Sequence, residues 1–313
     1  MSNVRYIEIG PDEDGQRLDN YLMRQLKGVP KSHIYRLIRG GEVRVNKKRA
    51  QASTRVCCGD SIRIPPVRTA QSKEVHVGAK LNQRLQESII YEDGHLLVIN
   101  KPAGIAVHGG SGLSLGVIEA LRKTRTDLSY LELIHRLDKE TSGCLLLAKK
   151  RSMLRAVQAL LAERTIQKTY WTILTGCWNG KKTVTVDVAL EKNTLKSGER
   201  MVVIKDDGKS SQTLFKLLEN FSDACWVEAS PKTGRTHQIR VHSAYLGHPI
   251  LGDEKYGGSE ALANEKLIKP RLYLHARSIQ FNLNGQVYQF QADLDDRFTS
   301  ALENLRLRSD VDE

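Results

Sequence analysis

The chain has 313 residues, with 48 Lys and Arg against 36 Asp and Glu, which gives a formal net charge of +12. Its 40% hydrophobic and 27% charged content is that of a folded globular protein and excludes a disordered or membrane-embedded chain. The length suits two domains, because one domain usually holds about 100–200 residues. A pI near 9.4 favours a polyanionic partner, and nucleic acid is the commonest.

The cysteines and the N-terminus indicate a cytoplasmic location. The five cysteines are odd in number and form no C-x-x-C pair, which predicts reduced thiols and no zinc site. The first residues are acidic and polar where a signal peptide would be basic and then apolar. No stretch approaches the ~18 apolar residues of a membrane span, so we expect no membrane contact.

The N-terminal residues 1–66 predict a compact unit of two helices and short strands. Apolar residues recur at helical spacing over 17–26, and a second helix begins at Ser32 and ends at Gly40-Gly41. Short alternating segments at 43–46 and 61–64 predict strands before Pro65-Pro66 interrupts the pattern.

Basic residues are concentrated in this unit, with nine between positions 24 and 49 against one acid, Glu42. Such a one-sided run favours phosphate contact over a solvated face, which would mix signs. The candidates for RNA binding are Arg24, Lys27, Lys31, Arg36, Arg39, Arg44, Lys47, Lys48 and Arg49. The segment RLDNYLMRQLKGVPKSHIYRLIRGGEVRVNKKRA resembles an S4-type RNA-binding domain. That resemblance implies an αL fold that binds structured RNA by shape and backbone.

The pattern changes after residue 66. Residues 67–88 are polar and lack a clear period, which predicts a linker. The remainder, 89–313, predicts a second domain of α+β class that starts with a hairpin at 89–99. Further helices are predicted near 115–122 and 152–162, and further strands at 144–148, 168–174, 183–188, 213–218, 225–229 and 286–292.

The densest polar cluster, His135 to Gly143, lies between an apolar segment and the strand predicted at 144–148. Loops at strand ends commonly carry chemistry, although a solvated turn has the same composition. A kinase loop is excluded because Leu137 interrupts H-R-D and no glycine-rich phosphate loop precedes it. A G-x-S-x-G nucleophile elbow and a P-loop are also absent from the sequence.

A second cluster, Lys232 to His242, combines five potential cations with two hydroxyls and an amide. Taken alone, it is typical of a basic edge strand near RNA. Its histidines have no acidic or cysteine companions at ligand spacing, so no metal site is expected.

Four segments together carry a family resemblance. HRLDKETSG, TGRTHQIRVH, VINKPAGIAVH and GHPILGDEKYG, in this order and spacing, resemble the motifs of the RluA-type pseudouridine synthases over about residues 89–300. The resemblance implies a catalytic domain built on a mixed, largely antiparallel sheet. It also implies isomerisation of specific uridines to pseudouridine in large-subunit ribosomal RNA, with no cofactor and no metal.

The same resemblance implies the roles of individual residues. Asp138 is the catalytic carboxylate, and Arg240 forms a salt bridge that holds it ionised. Tyr170 stacks on the base and can assist removal of the C5 proton. Arg136 enters the RNA where the target base has left, and Arg235 and His237 contact RNA. His135 and Thr141 to Gly143 shape the turn around the carboxylate.

Several alternatives stay open at this point. Asp138 either attacks C1′ or removes the C2′ proton. The substrate is alternatively transfer RNA, or the specificity is that of another ribosomal RNA enzyme of the family. A non-catalytic RNA-binding assembly factor is the alternative from another class of protein. We expect a monomer without an obligate protein partner.

Overall fold

The computed structural model describes residues 4–26, 28–67, 77–109, 115–194, 200–257, 268 and 270–312. The chain divides into two compact units. The N-terminal unit comprises Met1–His76 with Lys150–Ser152, and the C-terminal unit comprises Val77–Lys149 with Met153–Glu313. Within the part of the chain that is described, no helix is both long enough and apolar enough to cross a membrane.

The N-terminal unit packs two helices on a small antiparallel sheet. Its elements are β1 (Arg5–Glu8), α1 (Leu18–Gln25), α2 (Lys31–Arg39), β2 (Arg44–Val45), β3 (Lys48–Arg49) and β4 (Ser61–Ile64), with the sheet order β1-β4-β2-β3. Leu18 and Leu22 of α1 and Ile34 of α2 are buried in one apolar cluster with Ile62 and Ile64 of β4. The helical spacing of the apolar residues therefore gave both helices correctly.

The predicted RNA-binding cations divide by environment. Arg24 is half-buried and forms an ion pair with Glu13. The carboxylate of Glu13 partly neutralises the positive charge of Arg24. Lys27 lies outside the described residues. The exposed members are Lys31, Arg36, Arg39, Arg44, Lys47, Lys48 and Arg49. The apolar faces of α1 and α2 are buried, and these cations lie on the exposed surface of the unit. They are therefore available to a polyanion.

The C-terminal unit is built on one large mixed sheet. Its helices are α3 (Ala79–Glu87), α4 (Val117–Thr124), α5 (Arg151–Glu163), α6 (Gln238–Tyr245) and α7 (Asp296–Asp312). Its strands are β5 (Ile89–Glu92), β6 (Leu96–Lys101), β7 (Glu132–Leu133), β8 (Ser142–Ala148), β9 (Gln167–Thr175), β10 (Thr183–Asp187), β11 (Leu190–Thr194), β12 (Arg200–Ile204), β13 (Gln212–Asn220), β14 (Ala224–Pro231), β15 (Leu274–Leu283) and β16 (Gln286–Gln291).

The order in the large sheet is β10-β13-β14-β9-β15-β8-β6-β5, with β16 beside β15 and β7 beside β8. β11 and β12 form a separate hairpin. Among the described residues the pairing of β15 with β8 is the one parallel pair. The predicted α+β class with a largely antiparallel sheet is confirmed.

The structure differs from the sequence prediction in the segment 67–88, which was expected to be a linker. Residues Ala79–Glu87 form α3, and Leu85 is buried against Leu97 and Ile99 of β6. The helix presents few apolar side chains, and its single buried residue gives too weak a period to recognise. The prediction of a linker is therefore wrong for this helix.

The strand β8 fixes the position of the polar loop that precedes it. All seven of its residues are buried, as expected for a central strand with both faces covered. Gly143 has φ +110°, and a Cβ there would lie 2.3 Å from the carbonyl oxygen of Ala276. Only glycine permits this approach of β8 to β15, which sets where the loop 135–141 enters the sheet.

The segment 232–242 is not an edge strand, as its composition alone suggested. It forms a turn after β14 and then the helix α6. Six successive residues of α6, Gln238 to Ser243, are buried, so the helix is enclosed on most sides. The helix lacks the usual amphipathic period because polar side chains, Gln238 and Arg240 among them, are buried and form hydrogen bonds inside the fold.

Candidate active site

A cavity of about 510 Å³ in the C-terminal unit gathers the two polar clusters of the sequence. The loop before β8 supplies Arg136 and Asp138, and β9 supplies Lys168 and Tyr170. The turn after β14 and the start of α6 complete the wall with Lys232, Thr233, Gly234, Arg235, Thr236, His237, Gln238, Ile239 and Arg240. Residues far apart in the chain, such as Asp138 and Arg240, thus face one space.

Asp138 lies at the cavity wall with its side chain 23% exposed. The backbone N–H of Thr141 donates to the Asp138 carbonyl at 3.2 Å, which closes a tight turn into β8. The carboxylate is therefore held by a short loop on a rigid central strand, the arrangement that aims a catalytic group well.

A buried lysine supports this loop from behind. The Lys101 ammonium is fully buried and donates to the carbonyl oxygens of Pro102, Ile105 and Lys139 at 2.8–3.0 Å. Burial lowers the pKa of Lys101 to about 7, while the charges of Glu140 and Asp138 act in the opposite direction. Sequence reasoning missed this residue, although a lysine at the end of an apolar strand was a visible signal.

His135 is hydrogen-bonded to the strand that follows the loop. Its Nε2 accepts a hydrogen bond from the backbone N–H of Leu146 at 3.2 Å. Burial lowers the pKa of His135 to about 4, so the ring is neutral at physiological pH. A neutral acceptor at this point ties the start of the loop to the middle of β8.

Arg240 does not form the expected ion pair with Asp138. Its Nε and a terminal nitrogen donate to the two carboxylate oxygens of Asp253 at 2.7 and 2.6 Å. Both side chains are buried, Asp253 completely. Burial opposes the charged form of Arg240, but hydrogen bonds and charge from Asp253 outweigh it and raise the pKa. The guanidinium still lies close enough for Asp138 to contribute to this rise.

The turn that carries the second cluster is organised by Gln238. The Gln238 Oε1 accepts from the Thr233 hydroxyl at 2.7 Å and from the Arg235 backbone at 3.0 Å. Its amide nitrogen donates to the Gln212 carbonyl at 2.9 Å and to the Thr213 hydroxyl at 3.0 Å. Arg235 itself donates from Nε to the Ser210 carbonyl, so part of this predicted RNA contact serves the fold.

His237 lies beside the carboxylate rather than at the periphery of the site. Its Nε2 is 3.8 Å from Oδ2 of Asp138, and its Nδ1 is 2.8 Å from the Tyr256 hydroxyl. The side chain of His237 is 15% exposed. Sequence reasoning assigned His237 to RNA contact and did not single out Asp253 or Tyr256.

Tyr170 lines the cavity from β9, and its side chain is half-buried. Burial raises the pKa of the Tyr170 hydroxyl above its ordinary value, and the negative charge of Asp138 adds to this effect. The side chain is therefore a neutral phenol at physiological pH. An aromatic face and a hydroxyl donor are what it offers to a ligand.

Cations surround the mouth of the cavity. Arg136 is exposed, and among the described residues its side chain has no hydrogen bond or ion pair. Lys168 is half-buried, and burial lowers its pKa. Lys168 was not among the site residues predicted from the sequence. Arg164 and Lys232 are exposed at the same rim. Within the described ranges, no group of three or more His, Cys, Asp or Glu side chains could hold a metal ion.

Comparison with known proteins identifies the class of this chain. The family described as RNA pseudouridylate synthase matches residues 95–245, and the S4 domain matches residues 16–62. With the relatives below, these matches show that the chain belongs to the RNA pseudouridylate synthase family and carries an N-terminal S4 domain. It is thus an RNA pseudouridine synthase, as the sequence motifs implied.

Curated relatives named ribosomal large subunit pseudouridine synthase C are similar over nearly the full length. The Haemophilus influenzae protein is 49% identical over 97% of this chain and 96% of its own length. The Salmonella typhi protein is 49% identical over 98% of each chain. The segments KGVPKS, VRVNKKR, IRIPPVR and VHGGSGLS of this sequence also indicate similarity to this branch of the family, and the relatives confirm that indication.

Two solved human structures share the fold over 70–72% of this chain. Human RNA Pseudouridylate Synthase Domain Containing 4 aligns with a TM-score of 0.60 and 28% identity, covering 72% of this chain and 96% of its own. Human RNA Pseudouridylate Synthase Domain Containing 1 aligns with a TM-score of 0.57 and 25% identity, covering 70% and 94%.

Proposed function

We propose that this protein converts specific uridines of large-subunit ribosomal RNA to pseudouridine and that Asp138 is the catalytic carboxylate. The names of the full-length relatives support the substrate. The observation that carries the assignment of the residue is the position of Asp138 in the cavity wall, close to Tyr170 and surrounded by cations at the rim. The reaction needs no added atoms, because the product is an isomer of the substrate.

The chemistry suits a single carboxylate. The N1–C1′ bond breaks, the uracil turns, and a C5–C1′ bond forms; C5 then loses a proton and N1 gains one. Cleavage either builds positive charge at C1′, which Asp138 attacks, or follows removal of the C2′ proton by Asp138. Both routes require an ionised carboxylate in a partly enclosed site, and the 23% exposure of Asp138 fits that requirement.

We assign Tyr170 to stacking on the detached uracil. The raised pKa keeps its hydroxyl protonated, which favours stacking and hydrogen-bond donation over removal of the C5 proton by the phenol oxygen. A stacked ring holds the base in either orientation, because both faces of uracil present the same π surface.

The target uridine must leave its helix or loop to reach Asp138. Arg136 is exposed at the cavity rim two residues before the carboxylate, a position from which its long side chain can fill the vacated place in the RNA. Arg164, Lys168 and Lys232 at the same rim are suited to the flanking phosphates. Arg240 supports the site through Asp253 and its charge near Asp138.

The exposed cations of the S4 domain are expected to supply affinity rather than chemistry. Replacing Arg36, Arg39 and Lys48 with Gln together lowers the salt dependence of RNA binding by about 2–3 in log–log slope, because three phosphate contacts are lost at ~0.7–0.9 each. Fluorescence anisotropy over a range of KCl concentrations measures this slope.

A matched variant controls for the loss of charge itself. Replacing Lys205, Arg306 and Arg308 with Gln removes three cations that already pair with carboxylates, so the slope should stay close to that of the wild type. Equal slopes for the two triple variants would show that the S4 cations do not contact phosphate.

Mapping of pseudouridine tests the proposed substrate. Unmodified large-subunit ribosomal RNA, small-subunit ribosomal RNA and transfer RNA are each incubated with the protein, and modified positions are read by base-specific chemical derivatisation. We expect a few discrete uridines in large-subunit RNA alone. Signal in transfer RNA would assign a different substrate. The absence of signal on naked RNA and on immature subunits would favour a binding factor.

Activity assays and light scattering on the purified chain test its oligomeric state and its need for a partner or cofactor. We propose that it acts as a cytoplasmic monomer without an obligate protein partner or cofactor. Activity of the purified chain, with a molar mass near 35.2 kDa by light scattering, is the expected result.

A further inference from the structure

Two hydrogen bonds lead from the hairpin β11–β12 to an imidazole that lies beside the carboxylate. The backbone N–H of Val202 donates to the Tyr256 hydroxyl at 3.0 Å. The Tyr256 oxygen is also 2.8 Å from Nδ1 of His237, whose Nε2 is 3.8 Å from Oδ2 of Asp138. One imidazole therefore connects the catalytic carboxylate to a fixed backbone donor.

The Tyr256 hydroxyl and the Asp138 carboxylate together favour one tautomer of His237. The Tyr256 oxygen accepts from Val202 and can donate its own proton to Nδ1. The ring proton then lies on Nε2 and points towards Asp138. The other tautomer would place the Nε2 lone pair against the lone pairs of a carboxylate, which is electrostatically unfavourable.

The surroundings restrict the imidazole to this orientation. His237 is the N-cap residue of α6 and has φ 52°, a left-handed conformation that is uncommon for residues other than glycine. The Tyr256 ring packs edge-on against His237 at 5.7 Å, and the Arg240 guanidinium lies over the same ring at 5.1 Å. Asp253, paired with Arg240, accepts the backbone N–H of Tyr256. The Asp253 ion pair thus holds the tyrosine that orients the histidine.

Positive and negative side chains near His237 shift the pKa of its imidazole in opposite directions. Burial lowers the pKa of His237, Arg240 and Lys255 lower it further, and Asp138 and Asp253 oppose the shift. Tyr256, another titratable group beside the imidazole, has a pKa raised by burial and stays protonated. The ring is accordingly neutral at physiological pH.

We propose that His237, oriented by Tyr256, is a positioning residue that directs its Nε2–H to one oxygen of Asp138 and leaves the other oxygen to face the uridine. The inference rests on the proposed function of Asp138. Without RNA the separation is an ion-pair distance, and it shortens to a hydrogen bond when substrate closes the cavity, as is common at catalytic sites.

Variants at position 237 test the proposal under single-turnover conditions. His237→Ala lowers the rate of pseudouridine formation roughly 100-fold, the scale expected when a reacting group is misplaced by about 1 Å. His237→Gln keeps an N–H donor on a side chain of similar reach and recovers about tenfold of that loss, the equivalent of one hydrogen bond. His95→Gln, in the exposed turn before β6, is the matched control and keeps the wild-type rate.

The dependence on pH separates positioning from a purely structural role. As the pH falls through the pKa of His237, which lies below the ordinary 6.5, an imidazolium forms. Its positive charge binds the Asp138 carboxylate too strongly for that carboxylate to react at the full rate. The wild-type rate should therefore decline at a higher pH than the rate of His237→Gln. Profiles of identical shape for the two proteins would overturn the proposal.

Two further measurements distinguish failure of the role proposed for His237 from failure of the function proposed for the site. Tyr256→Phe keeps the ring over which Arg240 lies but removes the hydroxyl, and it should lower the rate about tenfold while the RNA Kd stays nearly unchanged. If His237→Ala lowers RNA affinity but leaves the rate of pseudouridine formation in the enzyme–RNA complex unchanged, His237 is an RNA contact and the proposal fails. An inactive wild type would instead refute the function of the whole site.

Discussion

Asp138→Asn lowers the single-turnover rate of pseudouridine formation by at least about a thousandfold, the scale seen when a catalytic group that forms or breaks bonds is removed. The amide matches the carboxylate in size but neither attacks C1′ nor accepts the C2′ proton. RNA affinity should persist, because the cations at the cavity rim and in the S4 domain are unchanged. Quantitative mapping of the modified uridines over time measures the rate.

Glu140→Gln is the matched control for this loss. Glu140 is a carboxylate two residues along the same loop, 48% exposed and 3.6 Å from the ammonium of Lys139. An exposed ion pair of this kind contributes little, so the variant should fold and react like the wild type. Comparable rates for Asp138→Asn and Glu140→Gln would remove Asp138 from its catalytic role.

The sequence predicted those elements whose burial follows a regular period. β8 could be recognised because an unbroken apolar run is typical of a central strand, and α1 because its apolar residues share one helical face. α6 could not be recognised, since Gln238, Arg240 and His242 are buried by tertiary hydrogen bonds rather than by their own hydrophobicity. β15 was missed because a bulge between Ala276 and Ser278 disrupts its alternation.

The same distinction applies to the site. The motifs singled out Asp138, Tyr170 and Arg136, and in the structure all three line one cavity. They did not reveal that Arg240 pairs with Asp253, because the partner of a buried charge depends on how α6 and the following turn are packed. Lys101 is a similar case, since its three acceptors are backbone carbonyls that carry no sequence signature.

Asp253→Asn lowers the free energy of unfolding by about 3–5 kcal/mol, because it leaves the buried Arg240 guanidinium without a countercharge. Asp253 is completely buried and also accepts the backbone N–H groups of Lys255 and Tyr256. The neutral amide supplies one acceptor oxygen in place of two charged ones. Urea denaturation at neutral pH, followed by circular dichroism, gives the change in unfolding free energy.

An exposed pair of the same geometry is the matched control. Arg306 makes two hydrogen bonds to Glu219 at 2.7–2.8 Å, but the side chains are 45% and 33% exposed. Glu219→Gln should therefore change stability by less than about 1 kcal/mol. If the two single variants lose similar stability, burial does not control the strength of the Arg240 pair.

A double variant separates the charge from the packing. Arg240→Met with Asp253→Leu removes both charges and replaces them with apolar groups, which should restore part of the stability lost in Asp253→Asn. The recovery is incomplete because the backbone N–H groups of Lys255 and Tyr256 lose their acceptor. It should not restore activity, since Arg240 also contributes positive charge near Asp138 and lies over the Tyr256 ring. Recovered stability with a low rate would show that the buried ion pair is retained for the site rather than for the fold.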